Sequence, residues 1–280
     1  MNEGDLLQHG FAFNKNGKLL TLSVPAFDRT GLCLTAFTTR LGGVSKSPLD
    51  TMNLGFGRGD DREAVLENYR ILGNKLGFDH SRMVAFTQVH KADVCIADDT
   101  FAGEAYLPNK REFDSIITNV PNLPIATYHA DCVPVFLLDP IARVVGVAHA
   151  GWRGTALKTP AAAVRKMQET FGVKPENILA GIGPSISQSA FECHSDVPDA
   201  MLAAYGDTAT QYIIDDGNGK FHVDLQGLVA QSLLECGIED KNITVSDECT
   251  VKKSDIYWSH RATGGIRGAM AAIIMLKEEK

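Results

Sequence analysis

No apolar stretch in this 280-residue chain approaches the ~20 residues that a membrane-spanning helix needs. No Cys-x-x-Cys pair occurs either. The six cysteines, Cys33, Cys95, Cys132, Cys193, Cys236 and Cys249, are scattered, which excludes a zinc finger built from close ligand pairs. Basic runs are missing, and the net charge of −7 with a pI near 5.6 argues against nucleic-acid or membrane-surface binding. Neither a P-loop nor a G-x-G-x-x-G fingerprint is found. There is no repeat, low-complexity segment or linker. Met1 to Leu20 does not read as a signal peptide, because Asn2, Glu3, Gly4 and Asp5 break the charged-then-apolar pattern. A cytoplasmic protein with reduced thiols is expected, most of them serving as small buried apolar residues.

What remains is an ordinary globular composition, 44% hydrophobic and 22% charged. Apolar or β-branched runs predict strands at Leu32–Thr39, Met83–Gln88, Asp93–Ala97, Ser115–Thr118, Ile125–Tyr128, Val133–Leu138, Val144–His149, Asn177–Ile182, Tyr212–Asp215, Ile243–Ser246 and Ile256–Ser259. Asp61 is placed to cap a helix to Leu76, in which Val65, Tyr69, Leu72 and Leu76 share one face and Gly77 ends the run. Thr159-Pro160 reads as an N-cap followed by a first-turn proline, with the end near Gly172. Asp224 begins a helix through Leu233 that Gly237 stops, and Val197–Tyr205 forms another. Strands outnumber helices, so strict βα alternation fails. The expected fold is one α/β domain over 1–280, with a large mixed sheet or two sheets, flanking helices and a peripheral first twenty residues. The acidic segment Asp98–Lys110 is expected to be a mobile surface loop.

Three strand ends carry chemistry-bearing side chains: Gln88-Val89-His90, His129-Ala130-Asp131-Cys132 and His149-Ala150-Gly151-Trp152-Arg153-Gly154. Strand ends are where open α/β folds place their sites. His90, Cys132 and His149 form a three-ligand set for zinc, with a fourth position open to water or substrate. Two histidines and a cysteine also suit a mononuclear copper site. A thiolate–imidazole pair of Cys132 and His149 is a further alternative. In an extended segment His129 and Asp131 share a face opposite Cys132. Asp131 would then orient a ligand histidine or act as a general base, or simply cap a turn. Pro134 predicts a local bend at the start of the next strand.

Anion-binding candidates are Arg40, beside Gly42-Gly43, and Arg153, next to His149. The first offers a guanidinium and open backbone N–H groups, though a plain glycine turn explains it as well. Gly181-Ile182-Gly183-Pro184-Ser185 is a similar turn.

Together these segments resemble the laccase-domain polyphenol oxidase family, described as purine nucleoside phosphorylases. The resemblance rests on Thr39-Arg40-Leu41-Gly42-Gly43-Val44-Ser45, Met52-Asn53-Leu54-Gly55, Gln88-Val89-His90, Ala130-Asp131-Cys132-Val133-Pro134, the His149–Gly154 run and Gly181-Ile182-Gly183-Pro184, in family order from Thr38 to Arg267. It implies a layered α/β fold related to toxin-like cysteine hydrolases, and zinc on His90, Cys132 and His149. It also implies phosphorolysis of adenosine, inosine and methylthioadenosine, with adenosine deamination. Purine nucleosides and phosphate would be the partners; oligomeric state is not legible. Arg40 and Arg153 would hold phosphate, and Asp131 or His129 would move protons. Met52 stands where the family has leucine. The segment Ala262–Gly268 departs from the usual order, which makes Arg261 a safer match than Arg267. The older oxidase label meets a physical objection: multicopper clusters use His-x-His pairs, and none of the eight histidines forms one.

His149→Ala and Cys132→Ala are each expected to lower bound metal and activity together. Elemental analysis beside an adenosine-plus-phosphate assay checks this, and full metal with full activity in both variants removes the ligand assignment.

Overall fold

A computed structural model describes residues 10–107 and 111–279. Two sheets stack face to face. The first is antiparallel, in the order β1 (Ala12–Asn16), β2 (Leu19–Ser23), β3 (Cys33–Thr38), β14 (Met270–Leu276), β6 (Ile125–His129). The second runs β13 (Ile243–Val245), β9 (Leu179–Ile182), β7 (Val133–Asp139), β8 (Val144–Ala150), β5 (Ser115–Thr118), β4 (Val94–Ile96). It is parallel at its two outer pairs and antiparallel between them. A small sheet of β10 (Glu192–Cys193), β12 (Lys220–Val223) and β11 (Ile213–Gly217) lies apart from both.

The period-two alternation of side chains explains why this sequence needs layers on every side. Along β8, Val145 and Val147 enter the core between the sheets, while Val144, Ala148 and Ala150 enter the core under the helices. Along β14, Met270, Ala272, Ile274 and Leu276 face the inter-sheet core, and Ala271, Ile273 and Met275 face the opposite side. Helix α2 (Arg62–Leu76) covers that opposite side with Val65, Tyr69 and Leu72. Helices α4 (Thr159–Phe171), α5 (Asp196–Tyr205) and α6 (Leu225–Glu235) cover the outer face of the second sheet. Short helices α1 (Pro25–Asp28), α3 (Trp152–Ala156) and α7 (His260–Thr263) complete the set.

Local signals act where expected at α2 and α6. The Asp61 side chain accepts from the Glu63 N–H at 3.1 Å and Gly77 closes α2 at φ 78°. The Asp224 carboxylate accepts from the Gly227 N–H at 3.0 Å. Thr159, in contrast, is the first residue of α4 and not its cap; its hydroxyl donates to the Lys91 carbonyl at 2.9 Å. Ile256–Ser259 is not a strand: Ser259 caps α7 by accepting from the Ala262 N–H. Met83–Gln88 makes only isolated bridges, Val84 to Ile125 and Thr87 to Glu112. Pro134 lies inside β7, opposite His149; β9 joins only from Val135, so no ladder donor is missed on that side. The segment after Asp98 forms two short 3-10 turns that bury Glu104 and Ala105; Asn109, Lys110 and Pro108 lie outside the described residues. β14 and the β1–β2 hairpin were not expected from local pattern, and within the first twenty residues Leu19 is buried.

Ile273 is fully buried, pairs with Ala36 and Ala126, and sits in an interior strand of its sheet, between β3 and β6. Ile273→Ala is expected to cost about 2–5 kcal/mol through lost burial and an incompletely collapsed cavity. Urea unfolding reads this as a lower midpoint at unchanged slope; a loss under ~1 kcal/mol contradicts the buried interior placement.

Candidate metal centre

His149 shares the parity of Val145 and Val147, so it points into the inter-sheet space at the end of β8 and is 4% exposed. Cys132 follows the turn between β6 and β7. His90 follows the Gln88-Val89 segment. The candidate ligand atoms of His90, Cys132 and His149 lie within 4.8 Å of one another. Two of the three approaches use left-handed backbone, His90 at φ 58° and Asp131 at φ 85°. Non-glycine residues hold that region only where surrounding contacts enforce it.

Asp114 supplies that enforcement. Its carboxylate, fully buried, accepts from His149 Nδ1 at 2.9 Å. It also accepts from the backbone N–H groups of Val89 (3.1 Å), His90 (3.1 Å) and Lys91 (2.8 Å). The His149 N–H donates to the Asp114 carbonyl at 2.8 Å. A carboxylate only accepts, so Nδ1 of His149 carries a proton, and when the ring is neutral Nε2 presents its lone pair. Burial tends to raise the Asp114 carboxyl, but the bonds from His149, Lys91 and Val89 hold it below the usual carboxylate range. Burial tends to lower His149; the Cys132 sulfur and Asp114 outweigh it and raise the imidazole to about 9.

Further ties fix the His90 loop. The Gln88 amide donates to the Tyr128 carbonyl at 2.8 Å and accepts from the Tyr128 N–H at 2.6 Å, imitating a strand pair with β6. Thr159 holds the Lys91 carbonyl from the other side. Gly151 must lack a side chain: a Cβ there would lie 2.6 Å from His90 Nδ1 and 3.0 Å from Cys132 Sγ. Two imidazoles, one thiol, a carboxylate behind one imidazole, and a glycine keeping the approach clear fit a metal site with an open position.

His90 and Cys132 stand in the wall between two clefts, and His149 lines the larger. The larger, about 670 Å³, is lined by Arg58, Arg62 and Arg267 with Phe56, Tyr106 and Tyr128. The smaller, about 340 Å³, holds Trp152, Phe191, Ile186 and Leu225 with Asp131 and Arg261. His90, Ala130, Cys132 and Arg267 line both. Arg267 donates to the Gly268 carbonyl at 3.2 Å, and its buried Nε has no partner among the described residues. Burial first and the charge of Arg58 second lower its guanidinium to about 10.

The other expected residues are placed differently. His129 lies 5.3 Å from His149, ring to ring, but borders neither cleft. It is tied to Thr127 Oγ1 at 2.8 Å and the Cys132 carbonyl at 3.1 Å. Burial, then the His149 charge, keep it well below the usual imidazole range, so it is neutral at pH 7. Asp131 does not orient a ligand histidine: its carboxylate accepts from Thr250 Oγ1 and the Arg261 N–H, both at 2.7 Å. Asp114 takes the orienting role. Arg40 stays away from both clefts, donating to the Ser254 and Asp50 carbonyls and lying 4.0 Å over Trp258. The Gly42 and Gly43 N–H groups are used by Thr51 Oγ1, which removes the anion nest expected there. Arg153 borders neither cleft and instead covers Trp152 at 4.0 Å. Arg267, the doubtful match, lines both clefts. Asp114 and Arg58 were not picked out from sequence; a lone aspartate directly before the apolar run Ser115–Thr118 was the one local signal for Asp114.

Residues 34–277 match the family model described as multi-copper polyphenol oxidoreductase laccase. The chain is 32% identical over 250 residues to purine nucleoside phosphorylase YlmD of Bacillus subtilis (strain 168), covering 88% of this chain and 89% of that protein. It is 33% identical over 258 residues to purine nucleoside phosphorylase YfiH of Escherichia coli (strain K12), covering 91% and 98%. The crystal structure of YlmD from Geobacillus stearothermophilus superposes with a TM-score of 0.90 at 30% identity, covering 95% of this chain and 99% of that one.

Asp114→Asn keeps the shape of the side chain but offers an amide to N–H donors. Zinc affinity is expected to fall about 10- to 100-fold, the usual effect of losing a partner behind a ligand histidine. Competition against a chromophoric chelator measures it, and wild-type affinity in the variant removes Asp114 from that role.

Proposed function

The chain belongs to the multi-copper polyphenol oxidoreductase laccase family, and from that premise we propose that it is a zinc-dependent purine nucleoside phosphorylase. Adenosine, inosine and methylthioadenosine are its substrates, with adenosine deamination as a second reaction of the same site. The observation that carries this reading is the His90–Cys132–His149 triad standing on a wall shared by a guanidinium-lined cleft and an apolar one. A multicopper oxidase reading lacks a comparable cluster: the triad is the metal-ligating group found among the described residues. Free thiols at all six cysteines agree with the proposed cytoplasmic location.

His90, Cys132 and His149 would hold the zinc, which would supply Lewis acidity when bound. The chain's own groups account for the rest. Arg58 and Arg267 offer donors with no ion-pair partner among the described residues, suited to a phosphate. In phosphorolysis a phosphate oxygen bonds to C1′ of the ribose as the C1′–N9 bond breaks. The electron pair leaves with the base, which gains a proton while the phosphate loses one. Asp131 faces the smaller cleft and is the carboxylate best placed to carry a proton to the departing base. The cores under β8 and β7 keep water out of the triad's inner side, His149 being nearly fully buried.

A second reading has its own geometric support. Asp114, His149 and Cys132 form a carboxylate–imidazole–thiol series, with the first link at 2.9 Å. That order is what a thiol hydrolase uses, and it fits the cysteine-hydrolase relation that the family resemblance implies.

Zinc-loaded protein given adenosine and phosphate is expected to form adenine and ribose 1-phosphate, and adenosine alone to release ammonia. Arg58→Ala should raise KM for phosphate about 10- to 100-fold, the range for a lost hydrogen bond to a charged group. Turnover that survives metal removal but stops on alkylation of Cys132 favours the hydrolase.

A further inference from the structure

The smaller cleft has no assigned occupant, and its composition differs from that of its neighbour across the triad. Its walls are aromatic and aliphatic: Trp152 at the start of α3, Phe191 before β10, Ile186, and Leu225 at the start of α6. Each aromatic ring is backed by a guanidinium. Arg153 lies 4.0 Å over Trp152, and Arg261 lies 5.5 Å over Phe191. Arg261 is itself held by the Ala190 carbonyl at 3.3 Å and the Glu192 carbonyl at 3.0 Å. Trp152 is half-buried, so it is the ring a flat heterocycle can reach for stacking; Phe191, 9% exposed, forms the floor beside it. Asp131 and Arg261 add an acceptor and donors at the same cleft, suited to the edge of a nitrogen heterocycle.

The larger cleft also contains aromatic rings, but these are engaged. Phe56 is stacked on Tyr69 at 5.6 Å and 8°, and Arg62 lies 4.9 Å over it. Tyr106 meets Tyr69 edge-on at 5.2 Å and donates its hydroxyl to the His80 carbonyl at 2.6 Å. What distinguishes that cleft is positive charge, from Arg58, Arg62 and Arg267.

We propose that the smaller cleft is the purine subsite, with the base stacked on Trp152 and Phe191, and that the nucleoside crosses the triad so that phosphate approaches from the larger cleft. This rests on the phosphorylase reading and deepens it. Direct displacement at C1′ requires nucleophile and leaving group on opposite faces of the sugar. Two clefts meeting at His90, Cys132 and Arg267 meet that requirement. The assignment also gives Arg153 a place: it positions Trp152, and its loss should affect nucleoside and not phosphate.

The chain has two tryptophans. Trp258 is buried, bonded through its indole N–H to the Met52 carbonyl and covered by Arg40, so a base entering the smaller cleft should quench Trp152 alone. The zinc-loaded full chain is titrated with adenosine without phosphate while tryptophan emission is followed. KM for adenosine and for phosphate are then measured separately in Trp152→Phe, Trp152→Ala, Phe191→Leu and Arg153→Ala. Quenching is expected in the wild type and lost in Trp152→Phe, whose adenosine KM stays within about threefold of wild type because a phenyl ring still stacks. Trp152→Ala should raise adenosine KM about 5- to 100-fold, the range carried by aromatic–base stacking, with phosphate KM unchanged. No quenching in the wild type, or unchanged adenosine KM in both Trp152→Ala and Phe191→Leu, overturns the subsite. Circular dichroism identifies a variant that fails to fold, and Trp152→Phe then carries the comparison. If the wild type binds adenosine with quenching but forms no adenine, the phosphorylase reading fails while the subsite stands.

Discussion

A carboxylate taken wholly out of water carries a desolvation penalty of several kcal/mol unless its oxygens are satisfied. Asp114 is in that position, and the site is organised by how it is satisfied. One oxygen takes the Nδ1 proton of His149 and the His90 N–H; the other takes the N–H groups of Val89 and Lys91. The same bonds therefore set a histidine tautomer and bend the loop that delivers a second histidine. The left-handed backbone of His90 is a consequence of wrapping three successive N–H groups around one buried anion. Asp131 repeats the arrangement on a smaller scale, its left-handed turn secured by Thr250 and the Arg261 N–H, and that turn presents Cys132.

The double-sheet architecture makes such a cluster possible. β6 and β8 belong to different sheets, yet each contributes a histidine to the space between them, with His129 and His149 ring to ring. Deep between the sheets the same parity positions are Val145, Val147 and Ile125. At the open end they change to polar residues. The core below is packed and dry, so the side chains at its mouth are held on rigid strands, while the loops bearing His90 and Trp152 close around them. Function is thus concentrated where the sandwich stops excluding water, with one cleft on each side of the triad.

Much of this was legible in the chain. The alternating or continuous apolar runs located β5, β7, β8 and β9, because strands buried on both faces have little freedom in composition. Caps at Asp61 and Asp224 located α2 and α6 because a cap is a local hydrogen bond. His90, Cys132 and His149 stood out because three polar, metal-binding side chains ended three apolar runs. The misses share one cause. β14 is made of Ala, Met, Ile and Leu, whose intrinsic preference favours helix as much as strand; only pairing with β3 and β6 decides it. Thr159 looked like a cap, but its hydroxyl was claimed by Lys91, 68 residues away. Arg40 looked like an anion ligand beside open glycines, yet Trp258, Ser254 and Thr51 occupy those groups.

Residue type and local period thus determined the strands, the capped helices and the metal-binding character of three side chains, since each of these depends on neighbours within a few positions. Which carboxylate stands behind His149, which arginines reach a cleft and which aromatic rings line one depend on contacts between residues far apart in the chain. Those were decided by the packing of one sheet on the other, because only that packing brings Asp114, Arg267 and Trp152 to the same end of the sandwich.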